Sequence, residues 1–106
     1  MLSNFPYTVL TALSGKRALE MLETDVPALV ITDMVMPDVS GSEIIRTIRA
    51  DERLKDTKII IMTSMLRYIT PEDEQLANKV LLKPLKKPEF EAAVNEMLRR
   101  VDHQAQ

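Results

Sequence analysis

Three places in the chain carry residue types that handle phosphate: a carboxylate at Asp33, hydroxyls at Thr63 and Ser64, and an ammonium at Lys83. Each closes a short apolar run, LVIT before Asp33, KIIIM before Thr63 and KVLL before Lys83. A carboxylate can attack phosphorus, a hydroxyl can donate to a phosphate oxygen, and an ammonium can neutralise the charge that accumulates there. Singly, each also has a purely structural reading: Asp33 as a turn or cap, Thr63 and Ser64 as the end of a strand, Lys83 as a solvated flank. Together they form a set able to accept, bind and neutralise a phosphoryl group. Pro84 follows Lys83, and an X-Pro bond after a buried strand is either cis in a tight turn, which aims the preceding side chain, or an ordinary trans strand end.

The surrounding elements decide whether these residues meet. Strand-like and helix-like periods alternate along the chain. The segment YTVLTA (7–12) is short and β-branched, and SGKRALEML then opens with Ser14 as an N-cap and carries Ala18, Leu19 and Leu22 at helical spacing. After PALVIT (27–32) come the turn signals Met36-Pro37 and Ser40-Gly41, with Ser40 and Glu43 spaced as a capping box and Ile44, Ile45 and Ile48 on one helical face. A third strand, TKIIIMTS (57–64), precedes a helix that starts at Thr70 with Pro71 in its first turn, and KVLLK (79–83) is the fourth strand. The last helix has the plainest stripe, Phe90, Ala93, Val94, Met97, Leu98 and Val101. Strands joined through helices run parallel, and continuous apolar strands indicate a sheet covered on both faces. An α/β domain follows, and in such sheets the strand ends converge on the edge where ligands bind.

The bulk composition limits the alternatives. A chain of 106 residues with 45% hydrophobic content suits one domain (1–106), with a core from about 7 to 101 and a polar, frayed tail over 102–106. A formal charge of −2 gives no footprint for nucleic acid or an anionic membrane, so proteins and small anions are the expected partners. The absence of cysteine excludes thiol chemistry and Cys-based zinc sites and fits a cytoplasmic protein. The N-terminal segment makes a poor signal peptide, and no apolar run reaches membrane-spanning length. A haloacid-dehalogenase-type phosphatase would need an acid where Val35 stands, and a dinucleotide site would need a Gly-rich first turn. Met21, Met62 and Met97 read as core fillers, Met34 and Met36 as partly exposed flanks of the site. His103 reads as a helix-end cation, and Lys86, Lys87, Arg99 and Arg100 as solvated flanks.

The ordered set LVITDMVMPDVSG, IIIMTS and VLLKPL, with thirty positions between Asp33 and Thr63, resembles the receiver domain of two-component response regulators. The resemblance spans 7 to about 101. It implies a flavodoxin-like (CheY-like) fold, Asp33 as the phosphoacceptor for a phosphohistidine of a histidine kinase or phosphotransfer protein, and Mg²⁺ as cofactor. By the same resemblance Thr63 is the switch hydroxyl, Thr63, Ser64 and Lys83 bind the phosphoryl group, Val35 offers its backbone carbonyl to the metal beside Asp33, and Pro37 and Gly41 belong to the loop after the phosphoacceptor. Such a protein is a signalling domain with at most autocatalytic phosphotransfer and dephosphorylation.

Two departures from the family accompany the match. The chain opens at what corresponds to the family's second strand, so the first strand, the first helix and the acidic pair that holds Mg²⁺ are expected to be missing, with metal affinity reduced; Asp38 follows Pro37 in a loop and is a poor replacement. Two apolar strands would then either close up into a four-stranded sheet or recruit a second chain by self-association or strand exchange. Secondly, Val80 stands where many receivers carry an aromatic switch residue, so the hydroxyl-to-aromatic relay is in doubt. The alternative function is a truncated receiver that takes phosphate poorly and serves as a protein-interaction or dimerisation module.

Overall fold

A computed structural model describes residues 8–36 and 38–105. Four strands, β1 (Val9–Ala12), β2 (Leu29–Thr32), β3 (Lys58–Thr63) and β4 (Lys79–Leu82), form one parallel sheet in the order of the sequence. The helices are α1 (Gly15–Thr24), α2 (Gly41–Ala50), α3 (Pro71–Leu76) and α4 (Lys87–Ala105). Strands β1 and β2 close up directly, with Val9 opposite Leu29 and Ala12 opposite Thr32. Of the two arrangements open to the sequence, the chain therefore adopts the closed four-stranded sheet.

The helix starts follow from local chemistry. Ser14 accepts the N–H of Arg17 and Ser40 that of Glu43, each satisfying a donor of the first turn. The reciprocal capping box is found at α3, where Thr70 accepts the Asp73 N–H and Asp73 accepts the Thr70 N–H, with Pro71 at the first helical positions.

Consecutive parallel strands linked by right-handed crossovers place every connecting helix on one face. Accordingly Ala18 and Leu22 of α1 and Ile44, Ile45 and Ile48 of α2 pack with Leu10, Val30, Ile59 and Ile61, and Leu76 of α3 packs partly against them. The other face, Leu29, Ile31 and Ile60, is covered by Ala93, Val94, Met97 and Leu98 of α4. Three helices thus cover one side and one covers the other.

Some sequence expectations are corrected. Met21 is 38% exposed instead of lying in the core, because it falls on the outer face of α1. Met34 is buried instead of flanking the site in solvent, since it turns into the first core. The side chains of Arg100, Val101 and His103, like Tyr7 and Pro37 as a whole, lie outside the described residues.

The strand starts are held by Arg49 of α2. Its guanidinium donates to the carbonyls of Leu76 (2.9 Å) and Thr57 (2.8 Å) and to Oδ1 of Asn78 (3.0 Å), an atom that also accepts the Ile59 N–H (2.7 Å). Charge-assisted bonds to partly buried carbonyls are costly to remove because the acceptors lose their partners. Arg49→Leu is expected to lower unfolding free energy by about 2–4 kcal/mol, read as a lower urea midpoint at unchanged m-value.

Candidate functional site

The three reactive strand ends are made by three local devices. Strand β2 stops because Asp33 Oδ1 accepts the N–H groups of Met34 (2.7 Å) and Val35 (3.3 Å), an Asx-type turn that replaces ladder bonds. Strand β3 stops in the same way with a hydroxyl, Thr63 Oγ1 accepting the Met65 N–H at 3.2 Å. Beyond β4 the Lys83 N–H still donates to the Thr63 carbonyl (2.8 Å), after which Pro84 has no N–H to continue the ladder. The Lys83–Pro84 peptide bond is cis.

Parallel pairing brings Asp33 and Lys83 together across fifty positions of sequence, with Lys83 Nζ donating to Asp33 Oδ2 at 2.8 Å. The side chains are 25% and 41% exposed, so the pair sits at the rim with its outer side open to solvent. Thr63 is beside Lys83 through its backbone, while its buried hydroxyl is engaged by Met65. Ser64 is exposed and lines a groove with Lys83. At Val35 the group that touches Asp33 is the N–H, and the side chain faces solvent. A cavity of about 160 Å³ opens on the pair, with Thr11, Thr32 and Met62 among its walls.

Partial burial acts to raise the Asp33 pKa, but the Lys83 hydrogen bond and the two backbone N–H groups, with the lysine's charge, outweigh it and hold the carboxyl below its ordinary value. Asp33 is thereby kept ionised, the form that is nucleophilic. It is the only carboxylate in this arrangement, and no group of three or more acidic, histidine or cysteine side chains able to hold a metal occurs among the described residues. One oxygen of Asp33 carries an ammonium and the other two N–H groups, whereas Mg²⁺ takes oxygen ligands and commonly uses one or two carboxylates.

Asp38, weighed as a metal ligand from the sequence, is committed elsewhere. It accepts from Ser14 Oγ (2.9 Å), Gly15 N (3.0 Å), Lys16 N (3.0 Å) and Val39 N (2.8 Å), tying the loop after β2 to the start of α1. The Lys16 N–H and the Ser14 hydroxyl, with the other two donors, hold its carboxyl far below the usual range. Sequence pattern did not single out this role, because its three partners at the start of α1 lie more than twenty positions away. Gly41 was read as a loop residue, and its reason is now specific: its N–H donates to Met34 O, and a Cβ would press on the Asp33 carbonyl and stand 2.8 Å from Met34 Cα.

A family model for the response regulator receiver domain matches residues 1–95, and the chain belongs to that family as a receiver domain of the two-component type. It is 34% identical over 89 residues to the two-component response regulator ORR5 of Oryza sativa subsp. japonica, covering 81% of this chain and 66% of that protein. Among solved structures it resembles response regulator protein TrrA from Thermotoga maritima in complex with Mg²⁺-BeF, with a TM-score of 0.70 and 30% identity over 79% of this chain and 71% of that one. It shares the fold of a CheY-like response regulator receiver domain from Methylobacillus flagellatus, with a TM-score of 0.71 and 24% identity over 81% and 73% of the two chains. The chain spans 7%, 39% and 66% of the lengths of three curated relatives. No helix among the described residues is long and apolar enough to cross a membrane.

Two outcomes test this geometry. An NMR titration should place the Asp33 carboxyl midpoint below the ordinary value, and Lys83→Met should move it upward. Since the folded-state value is the lowered one, the stabilisation from this carboxylate is present above the ordinary carboxylate pKa and is lost as pH falls through the lowered value. Gly41→Ala should cost about 1–3 kcal/mol by overpacking, read in thermal or urea unfolding, and should perturb the Asp33 resonances.

Proposed function

We propose that Asp33 is the phosphoacceptor of this receiver domain, taking a phosphoryl group from a phosphohistidine of a histidine kinase or phosphotransfer protein. A carboxylate oxygen of Asp33 attacks phosphorus, the P–N bond breaks, and the imidazole leaves with the electron pair of that bond. The reading rests on the 2.8 Å contact between Asp33 and Lys83, which supplies an ionised nucleophile and a cation within reach of the incoming phosphoryl oxygens. As the phosphoryl group arrives, the ammonium passes from the carboxylate to a phosphoryl oxygen. Thr63 contributes by donating its O–H to a phosphoryl oxygen while its oxygen accepts the Met65 N–H, and exposed Ser64 stands at the mouth of the same edge.

Mg²⁺ is expected from the family, and the neighbour TrrA was solved with Mg²⁺-BeF. For this chain we infer that the metal is bound weakly, because among the described residues no cluster of three or more acidic, histidine or cysteine side chains backs Asp33, which is already paired with Lys83. The same observation favours a second reading, in which the domain takes phosphate poorly and works through protein contacts. A single domain over 1–106, at work in the cytoplasm, goes with both readings.

Incubation with acetyl phosphate and Mg²⁺ should give an acid-labile mass gain of one phosphoryl group, absent in Asp33→Asn and reduced roughly tenfold or more in rate in Lys83→Ala. A well-folded wild-type chain that gains no mass selects the second reading.

A further inference from the structure

The open groove of about 810 Å³ beside α4 shares Lys83 with the cavity over Asp33 and belongs to the surroundings of that site. A pocket of about 390 Å³ at the other edge of the sheet shares no residue with either. It opens where β3 and β4 begin, between the last turns of α2 and α3. Arg49, Lys55, Lys58, Asp56 and the amides of Gln75 and Asn78 make it a polar pocket.

The chain leaves the three cations of this pocket largely unanswered. The half-buried Arg49 guanidinium bonds only to neutral oxygens, the carbonyls of Lys55, Thr57 and Leu76 and Oδ1 of Asn78, and these occupy four of its five N–H groups. Burial pushes its pKa below the ordinary arginine value. Lys58 is 8% exposed, and among the described residues its ammonium has neither an ion pair nor a hydrogen bond. A buried charge without a partner is costly to keep. The Lys55 ammonium meets only Glu52, at 3.5 Å between two exposed side chains, a pair that contributes little. Exposed Asp56 is the one carboxylate lining the pocket, so positive charge is in surplus there although the whole chain carries −2.

A cleft with a surplus of one charge concentrates ions of the other sign. A guanidinium and two ammoniums carried by different elements suit a tetrahedral dianion with three terminal oxygens better than a planar carboxylate with two. Asn78 adds donors, because its Oδ1 is held by Arg49 and the Ile59 N–H while its Nδ2 makes no bond among the described residues. The volume lies within the roughly 300–1,000 Å³ of small-molecule sites, which leaves room for an organic body beside the anion. We propose that this pocket binds a phosphate monoester of a small hydroxylated molecule, a sugar phosphate by class. Arg49, Lys55, Lys58 and Asn78 hold the phosphate, and Asp56 and Gln75 accept from the hydroxyls. The pocket lies at the opposite edge from Asp33, so the proposal stands or falls separately from the phosphoacceptor role.

Titration of the full chain with glucose 6-phosphate should give saturable NMR shifts of the backbone amides at 55–58 and 75–78. Lys55→Gln and Lys58→Gln should each weaken this binding by roughly tenfold, as loss of a hydrogen bond to a charged group does. Asp56→Ala should weaken glucose 6-phosphate binding while strengthening that of inorganic phosphate. Lys83→Met removes the cation at the Asp33 edge and should leave the shifts at 55–58 and 75–78 as they were. Shifts that do not saturate, or that are confined to 33, 63, 64 and 83, overturn the proposal, as does an affinity indifferent to both lysine substitutions. Equal affinity for inorganic phosphate and glucose 6-phosphate overturns the assignment to an organic phosphate. Exposed Lys55 decides the matter even if Lys58→Gln fails to fold.

Discussion

Parallel strands cannot be joined by a tight turn, and each right-handed crossover must lay its helix on the same side of the sheet when the strands follow in order. That constraint governs this molecule. It sends the ends of β2, β3 and β4 to one edge, it stacks α1, α2 and α3 on one face, and it leaves the opposite face to α4, whose tie to the sheet includes the 3.0 Å pair between Lys79 and Glu96. The site and the open groove are two consequences of one topology.

At the edge, the structural and chemical roles of Asp33 coincide. The Asx-type turn that ends β2 uses one carboxylate oxygen, and the lysine that follows β4 takes the other. The turn thereby presents the carboxylate in a fixed orientation, and the cation keeps it charged. Lys83 also forms a wall common to the cavity over Asp33 and the groove beside α4.

The connections at both ends of the sheet are tied by contacts between residues far apart in the chain. Asp38 binds the start of α1, Ser42 donates to Oδ2 of the fully buried Asp73 at 2.8 Å, and Arg53 donates to the Leu22 carbonyl at 2.8 Å. None of these pairs follows a helical or strand period. They were invisible to a reading based on period, whereas the helix caps at Ser14, Ser40 and Thr70 were visible because cap and donor lie three residues apart. Burial at helix surfaces was legible for the wide stripes of α2 and α4. It failed for Met21 and Met34, where apolar character did not say which way the side chain turned.

The order of residues by itself determined the element types, the parallel sheet and the candidate edge residues, because apolar period, capping chemistry and strand-ending residues act over a few positions. Only the tertiary structure decided that β1 closes directly on β2, that the ammonium of Lys83 rests on Asp33 while the hydroxyl of Thr63 is turned to Met65, and that Asp38 holds a helix instead of a metal. Those outcomes depend on which distant groups compete for the same few donors and acceptors, and that competition is settled by three-dimensional proximity, which spacing along a chain does not encode.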